Sequence, residues 1–210
     1  MPKSAIAPDA FEPDDAKGGA ILDAAQKIFL SRGFDAASMD VIAAEANVSK
    51  RTVYNRFQSK EALFAGVVSR TCQQVLPLDM SETGFGTPPD IFLHDFGVRM
   101  LSLLLDEDAI ALHKLVTFIA SDAPDIAEAF IANGSDKVIG VLIHYFDRQC
   151  DMGSLVIEDK QEAAWYLCSL MKEPLHMYAV LGRTDLVTED AILRHVQRSV
   201  SAFLKIYAPK

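Results

Sequence analysis

The stretch "NVSKRTVYNRFQSKEALF", residues 47–64, holds four Lys or Arg together with Tyr54 and two Phe. Its punctuation decides more than its charge. Ser49 is placed to cap a short helix over "KRTVYNRF", and Ser59 to cap another over "KEALFAGVVSRTCQQVL", with Glu61 in its first turn. Just upstream, Ser38 is placed to cap "MDVIAAEA", with Asp40 at its positive end. Asn47 closes that helix, because Asn tolerates the left-handed backbone of a tight stop. Three serine caps thus fall within 22 positions, and each opens a short segment. Helix, tight turn and helix with Asn at the turn is the helix-turn-helix arrangement.

Working outward, "AILDAAQKIFLSRGF" repeats Ile21, Ala24, Ala25, Ile28 and Phe29 at the spacing of an amphipathic helix. Gly33 is expected to end it as a left-handed cap. Within residues 50–57, Val53 and Phe57 share one face with Val48. They would dock onto Ile42, Ala46 and the first helix. A helix this short is marginal alone, so its neighbours must hold it. Lys50, Arg51, Thr52, Tyr54 and Asn55 then point mostly away. That set suits a major groove: Arg and Lys donate to guanine, Asn pairs with adenine, and Thr and Tyr reach phosphate or a thymine methyl. Lys60 opens the fourth helix, where backbone N–H groups and an ammonium together suit a phosphate.

The charge distribution agrees. The 210 residues are half hydrophobic and 23% charged, a globular composition, with formal net charge −9. Residues 1–17 hold two Lys against four acids, residues 18–70 seven basic against five acidic residues, and residues 71–210 eleven against twenty. A small positive head therefore sits on a large negative body, so a local patch can meet phosphate while the body repels it. No apolar run approaches the roughly 18 residues of a membrane span. The opening residues lack the apolar core of a signal peptide. A soluble, cytoplasmic protein is expected. Cys72, Cys150 and Cys168 are odd in number and without CxxC spacing, and read as buried free thiols.

Residues 1–17, with three Pro and no apolar periodicity, read as a flexible arm. Pro77 should end the fourth helix, and residues 77–90, with three Pro and two Gly, read as a loop. Beyond it the pattern predicts helices over about 90–106, 109–121, 124–150, 160–181 and 188–207. No β-branched alternation persists between turn signals. The fold class is all-α, with about nine helices in total.

Residues 18–64 resemble the DNA-binding domain of the TetR-like (TetR/AcrR) family of bacterial transcriptional regulators. The resemblance rests on Ala24, Phe29, Gly33, Phe34, Ser38, Ile42, Ala43, Ala46, Val48, Ser49, Thr52, Tyr54, Phe57, Lys60, Glu61 and Leu63. Asn47 is a departure, since the family usually has Gly there. The resemblance implies an N-terminal three-helix helix-turn-helix domain over 18–64, then a larger helical ligand-binding and dimerisation domain over 65–210. It implies phosphate contacts from Ser38, Thr52, Tyr54 and Lys60; base or groove contacts are expected from Lys50, Arg51 and Asn55. The implied function is a transcriptional repressor that binds a palindromic operator as a homodimer and is released by a small apolar or aromatic ligand. The fourth helix, residues 60–76, would be the lever. A ligand-independent regulator or an activator would use the same helix-turn-helix.

The body supports an oligomer on its own terms. Residues 162–182 are apolar nearly all round, and such a helix must be buried on two sides. Ile192, Val196, Val200, Phe203 and Tyr207 continue the pattern in the last helix. The two are expected to pair with their symmetry mates in a four-helix interface through Trp165, Met171, Tyr178, Val196, Val200 and Phe203. The alternative is that both helices are internal core. Pro174 should kink the first of them. Candidate lining for a ligand pocket is Phe92, Phe96, Met100, His113, Thr117, Phe118, Trp165 and Met177, although the stripe Phe92, Phe96 and Met100 is more often core. None of the five histidines has metal-ligand spacing, and there is no Gly-rich phosphate loop or nucleophile elbow. Enzymatic activity, a cofactor and a bound metal are not expected.

Overall fold

Each of the three serine caps closes in the computed structural model, which describes residues 16–73 and 86–209. The Oγ atoms of Ser38, Ser49 and Ser59 accept from the backbone N–H of Val41, Thr52 and Ala62 at 3.3, 3.1 and 3.1 Å. The described residues are helical throughout, without strands. In chain order they form α1 (Ala16–Ala36), α2 (Met39–Glu45), α3 (Lys50–Arg56), α4 (Lys60–Gln73), α5 (Pro89–Leu104), α6 (Glu107–Ile119), α7 (Pro124–Asn133), α8 (Ser135–Asp151), α9 (Lys160–Lys172), α10 (Leu175–Val180) and α11 (Glu189–Tyr207). A single 3-10 turn, Thr184–Leu186, precedes α11.

Two segments expected as single helices are broken. The stretch 124–150 divides into α7 and α8 at Gly134, whose φ of −102° and ψ of −99° are not helical. The stretch 160–181 divides into α9 and α10 across the cis peptide Glu173–Pro174. Pro174 has no N–H to continue the ladder, so a separation replaces the expected kink. The expected end of the fourth helix at Pro77, most of the 77–90 loop and most of the N-terminal arm lie outside the described residues.

By contacts the chain divides into two compact units. One comprises residues up to Arg70 with Ala111–Gly134, and the other Thr71–Ile110 with Ser135 onward. The first unit is built on α1, whose Ile21, Leu22, Ala25, Ile28 and Phe29 are buried. Phe29, Phe34 and Phe64 form a three-ring cluster with centroids 5.4 to 5.7 Å apart. Gly33 does take positive φ, as expected, but its ψ of 168° makes it extended rather than left-handed helical. That region is open essentially to Gly alone. It lets Phe34 swing back onto Phe29 after α1 has broken.

In the second unit, α5, α8, α9 and α11 bury one continuous core. Phe92, Phe96 and Met100 of α5 meet Leu142, Tyr145 and Phe146 of α8, Ala164, Leu167 and Met171 of α9, and Val196, Val200 and Phe203 of α11. Phe92 stacks on Tyr145 with centroids 3.7 Å apart, and Phe146 stacks on Phe203 at 5.4 Å. Gly97 lets α5 approach α9 and α11: a Cβ there would stand 2.8 Å from a Val196 methyl and 3.0 Å from the Met171 methyl. Cys150 and Cys168 are free and half-buried, and the side chain of Cys72 lies outside the description. No described helix is long and apolar enough to cross a membrane.

Candidate nucleic-acid interface

The turn between α2 and α3 fixes the candidate surface. Asn47 has φ 53°, the left-handed region. The N–H of Asn47 bonds to the carbonyl of Ala44 at 3.2 Å, and that of Val48 to the carbonyl of Ala43 at 3.0 Å. This pair of bonds is a Schellman stop, so Asn performs here the task for which Gly is usual. Ser49 then caps α3, and its Oγ stands 2.8 Å from the Thr52 hydroxyl.

Only Val53 of α3 is fully buried, with Phe57 following as a buried C-terminal cap. These two side chains pin the helix, as the spacing predicts. Lys50, Arg51, Tyr54 and Asn55 are exposed, Tyr54 to 50%, and Thr52 is half-buried. Ser38 is exposed at the head of α2. The helix therefore presents these two cations, a phenol and an amide, with Arg56 exposed at its end, on a frame that cannot slide. Those groups can donate to phosphate oxygens and guanine edges or form a paired contact with adenine.

The cations are not equivalent. Lys50 Nζ is bound to the carboxylate of Asp40, in the first turn of α2. Arg51 has no carboxylate partner among the described residues. Lys60 differs most from the expectation. It is half-buried, donates to the carbonyls of Phe34 and Asp35 at 2.7 and 3.4 Å, and lies 4.3 Å from the centroid of the Phe34 ring. Two of its three donors are thus occupied by the end of α1. Lys27 pairs with Glu45 at 2.5 Å, tying α1 to α2, and holds the Glu45 carboxyl below its usual range. Arg70 bonds back to Asp23 and to the carbonyl of Gly19, at 2.8 and 3.1 Å, tying α4 to α1. The Asp40–Lys50 pair escaped the reading of the sequence, which took Asp40 only as a helix-dipole residue. Its signal was an acid in the first turn of one helix and a base in the first turn of the next, across a tight stop.

The other expected sites fare differently. Phe92, Phe96 and Met100 are buried in the core of the second unit. Phe118 is 86% exposed and Thr117, bonded to the carbonyl of His113, is exposed as well. His113 is half-buried 6.2 Å from Phe130. Trp165 and Met177 remain partly exposed. Among the expected interface residues, Met171, Val196, Val200 and Phe203 are buried by their own unit. The outward faces of α9 and α11 carry Trp165, Tyr166, Leu170, Leu193 and Ile206 instead, while Tyr178 is half-buried on α10.

Comparison with known proteins matches two stretches of the chain to family models. Residues 21–67 match the model of bacterial regulatory proteins of the tetR family, and residues 92–209 match that of the C-terminal domain of AefR-like transcriptional repressors. A solved structure, the flavonoid-responsive regulator FrrA, is similar with a TM-score of 0.73 and 32% identity, over 92% of this chain and 98% of that one. The HTH-type transcriptional regulator YhgD of Bacillus subtilis is 50% identical over 63% of this chain and 66% of its own length. The HTH-type transcriptional activator FasR of Mycolicibacterium smegmatis is 45% identical over 28% of this chain and 26% of its own length. The chain thus spans less than two thirds of these curated relatives.

Proposed function

The chain belongs to the tetR family of bacterial regulatory proteins, and from that premise we propose that it is a DNA-binding transcriptional repressor. It binds a palindromic operator as a homodimer and is released by a small apolar or aromatic ligand. The observation that carries the proposal is α3 itself. Val53 and Phe57 are buried beneath it, while Arg51, Tyr54 and Asn55 stand exposed on a helix fixed by a capped, Schellman-closed turn. Ser38, Thr52 and Tyr54 serve phosphates, and Lys50, Arg51 and Asn55 serve the groove. Lys60 acts by holding the end of α1, with its remaining donor toward phosphate.

Dimerisation uses the outward faces of α9 and α11, with Trp165, Leu170, Leu193 and Ile206 in place of the residues taken by the core. The flavonoid response named for FrrA supports an aromatic effector. A ligand shifts the protein only through unequal affinity for its DNA-competent and DNA-incompetent forms; α4 is the proposed lever. The activator name of FasR supports the second reading, activation through the same helix-turn-helix.

Selection of bound duplexes from a random pool, repeated with flavonoid-like and other apolar candidates, tests the proposal. A palindromic site lost on addition of ligand is expected, and binding without sequence preference would refute it. The affinity should also fall steeply with salt.

A further inference from the structure

We propose that Asp40 is a specificity-determining residue that holds Lys50 away from phosphates until a matched base edge displaces it. The inference rests on the reading of α2 and α3 as the DNA-binding surface and adds a role for the acid facing it.

Asp40 and Lys50 are ten residues apart, on different helices, and the Schellman-closed turn brings their charged ends together. Both side chains are more than half exposed, so the pair is a weak one that a better partner can open. Lysine suits this use, because its ammonium is a compact charge on a flexible stem. Arg51, its neighbour in sequence, has no such carboxylate among the described residues.

Non-specific binding arises from cations that displace counterions from phosphates. A lysine already neutralised by Asp40 displaces none, and the carboxylate repels the phosphate that approaches. On random duplex Lys50 therefore stays with Asp40 and adds nothing. On a matched site, the O6 and N7 acceptors of guanine offer what a lone phosphate does not, a convergent pair of acceptors. Lys50 then leaves Asp40. The acid thus subtracts from binding to wrong sequences more than from binding to the right one.

The test is a salt titration of the full chain on an unrelated duplex and on the duplex recovered by selection. Asp40→Asn should steepen the slope of log affinity against log salt on the unrelated duplex by about 0.9 per bound subunit. It should also narrow the preference for the selected duplex roughly tenfold. Lys50→Met should leave the non-specific slope unchanged in the wild-type background and remove the added 0.9 in the Asp40→Asn background. A slope unmoved by Asp40→Asn overturns the proposal, as does a steepening that survives in the double variant. Lys50→Met alone keeps the question open to refutation if Asp40→Asn fails to fold: a lowered non-specific slope would show Lys50 already on phosphate. Absence of salt-dependent binding in the wild type would remove the DNA-binding reading itself, whereas steep wild-type binding with an inert Asp40→Asn removes this inference alone.

Discussion

Lys60 Nζ lies 4.3 Å from the centroid of the Phe34 ring and donates to the carbonyl of the same residue at 2.7 Å. One side chain thus engages both the π face and the backbone of Phe34. It does so just after α1 has broken at Gly33, where the last carbonyls of the helix need donors. The ring it covers is itself locked against Phe29 and Phe64. Lys60 therefore joins the end of α1 to the start of α4, and α3 is held between elements that this clamp keeps in place.

Lys60→Met keeps the length of the side chain and removes its donors and charge. It should lower the stability of the protein by about 1–2 kcal/mol, from the lost cation–π contact and the stranded carbonyls. Denaturant titration checks this through a shifted midpoint at unchanged slope. Binding to every duplex should weaken alike. A selective loss on one sequence would place Lys60 at a base.

Gly33→Ala should destabilise by about 1–3 kcal/mol although nothing stands within 4 Å of the added Cβ. The cost is in the backbone, at φ 78° and ψ 168°. Asn47→Ala should cost less, about 1 kcal/mol, because φ 53° is only mildly unfavourable for Ala. Asn47→Gly should be neutral or stabilising. Comparing the three melting curves separates these cases, and Asn47→Gly less stable than Asn47→Ala would contradict the argument.

The helix-turn-helix of α1 to α4 was legible in the sequence because its determinants are local. A serine cap speaks to a backbone N–H three residues on, and Asn47 closes a turn whose partners, Ala43 and Ala44, lie within five residues. Val53 and Phe57 declare their buried face by spacing alone. The second unit was less legible because its determinants are distant. Met171, Val196, Val200 and Phe203 have the periodicity of a buried stripe, and periodicity does not say whose core buries them. Neighbours far along the chain, Phe96 and Phe146 among them, decide that. The same holds for Lys60 and Phe34: their pairing depends on how two helices meet, which no local signal carries.

Gly97 gives the second unit a test opposite in kind to Gly33. Its backbone is helical, and the obstacle is the methyl of Val196 at 2.8 Å with Met171 at 3.0 Å. Met171 can bend away, but Val196 is stiff at χ1. Gly97→Ala gains about 1 kcal/mol of helix propensity and loses about 1–3 kcal/mol to overpacking, so a small net loss is expected. Gly97→Val should cost about 3 kcal/mol. Val196→Ala should recover part of that loss in the double variant. Simple additivity of the two single losses would show that the helices do not meet at this point.

Cys168 supplies a prediction in pH. Burial pushes its thiol up to about 12, against an ordinary value of about 8.5. The folded state thus favours the protonated form, and the unfolded chain gives up the proton first. Stability from this group is complete below about pH 8.5 and is lost as pH rises toward 12, at up to about 1.4 kcal/mol per pH unit. Tyr145, raised by burial and by the nearby Asp90, acts in the same direction above its own ordinary value of about 10. Denaturant midpoints measured at pH 7, 9 and 10 should fall in the wild type. The fall between pH 9 and 10 should be shallower in Cys168→Ala, where the first of these titrations is gone. Alkylation reads the same group directly: at pH 8 the thiolate fraction should be reduced on the order of a thousandfold relative to an ordinary cysteine. Rapid modification of Cys168 in the folded protein would show that its thiol is not packed against the core.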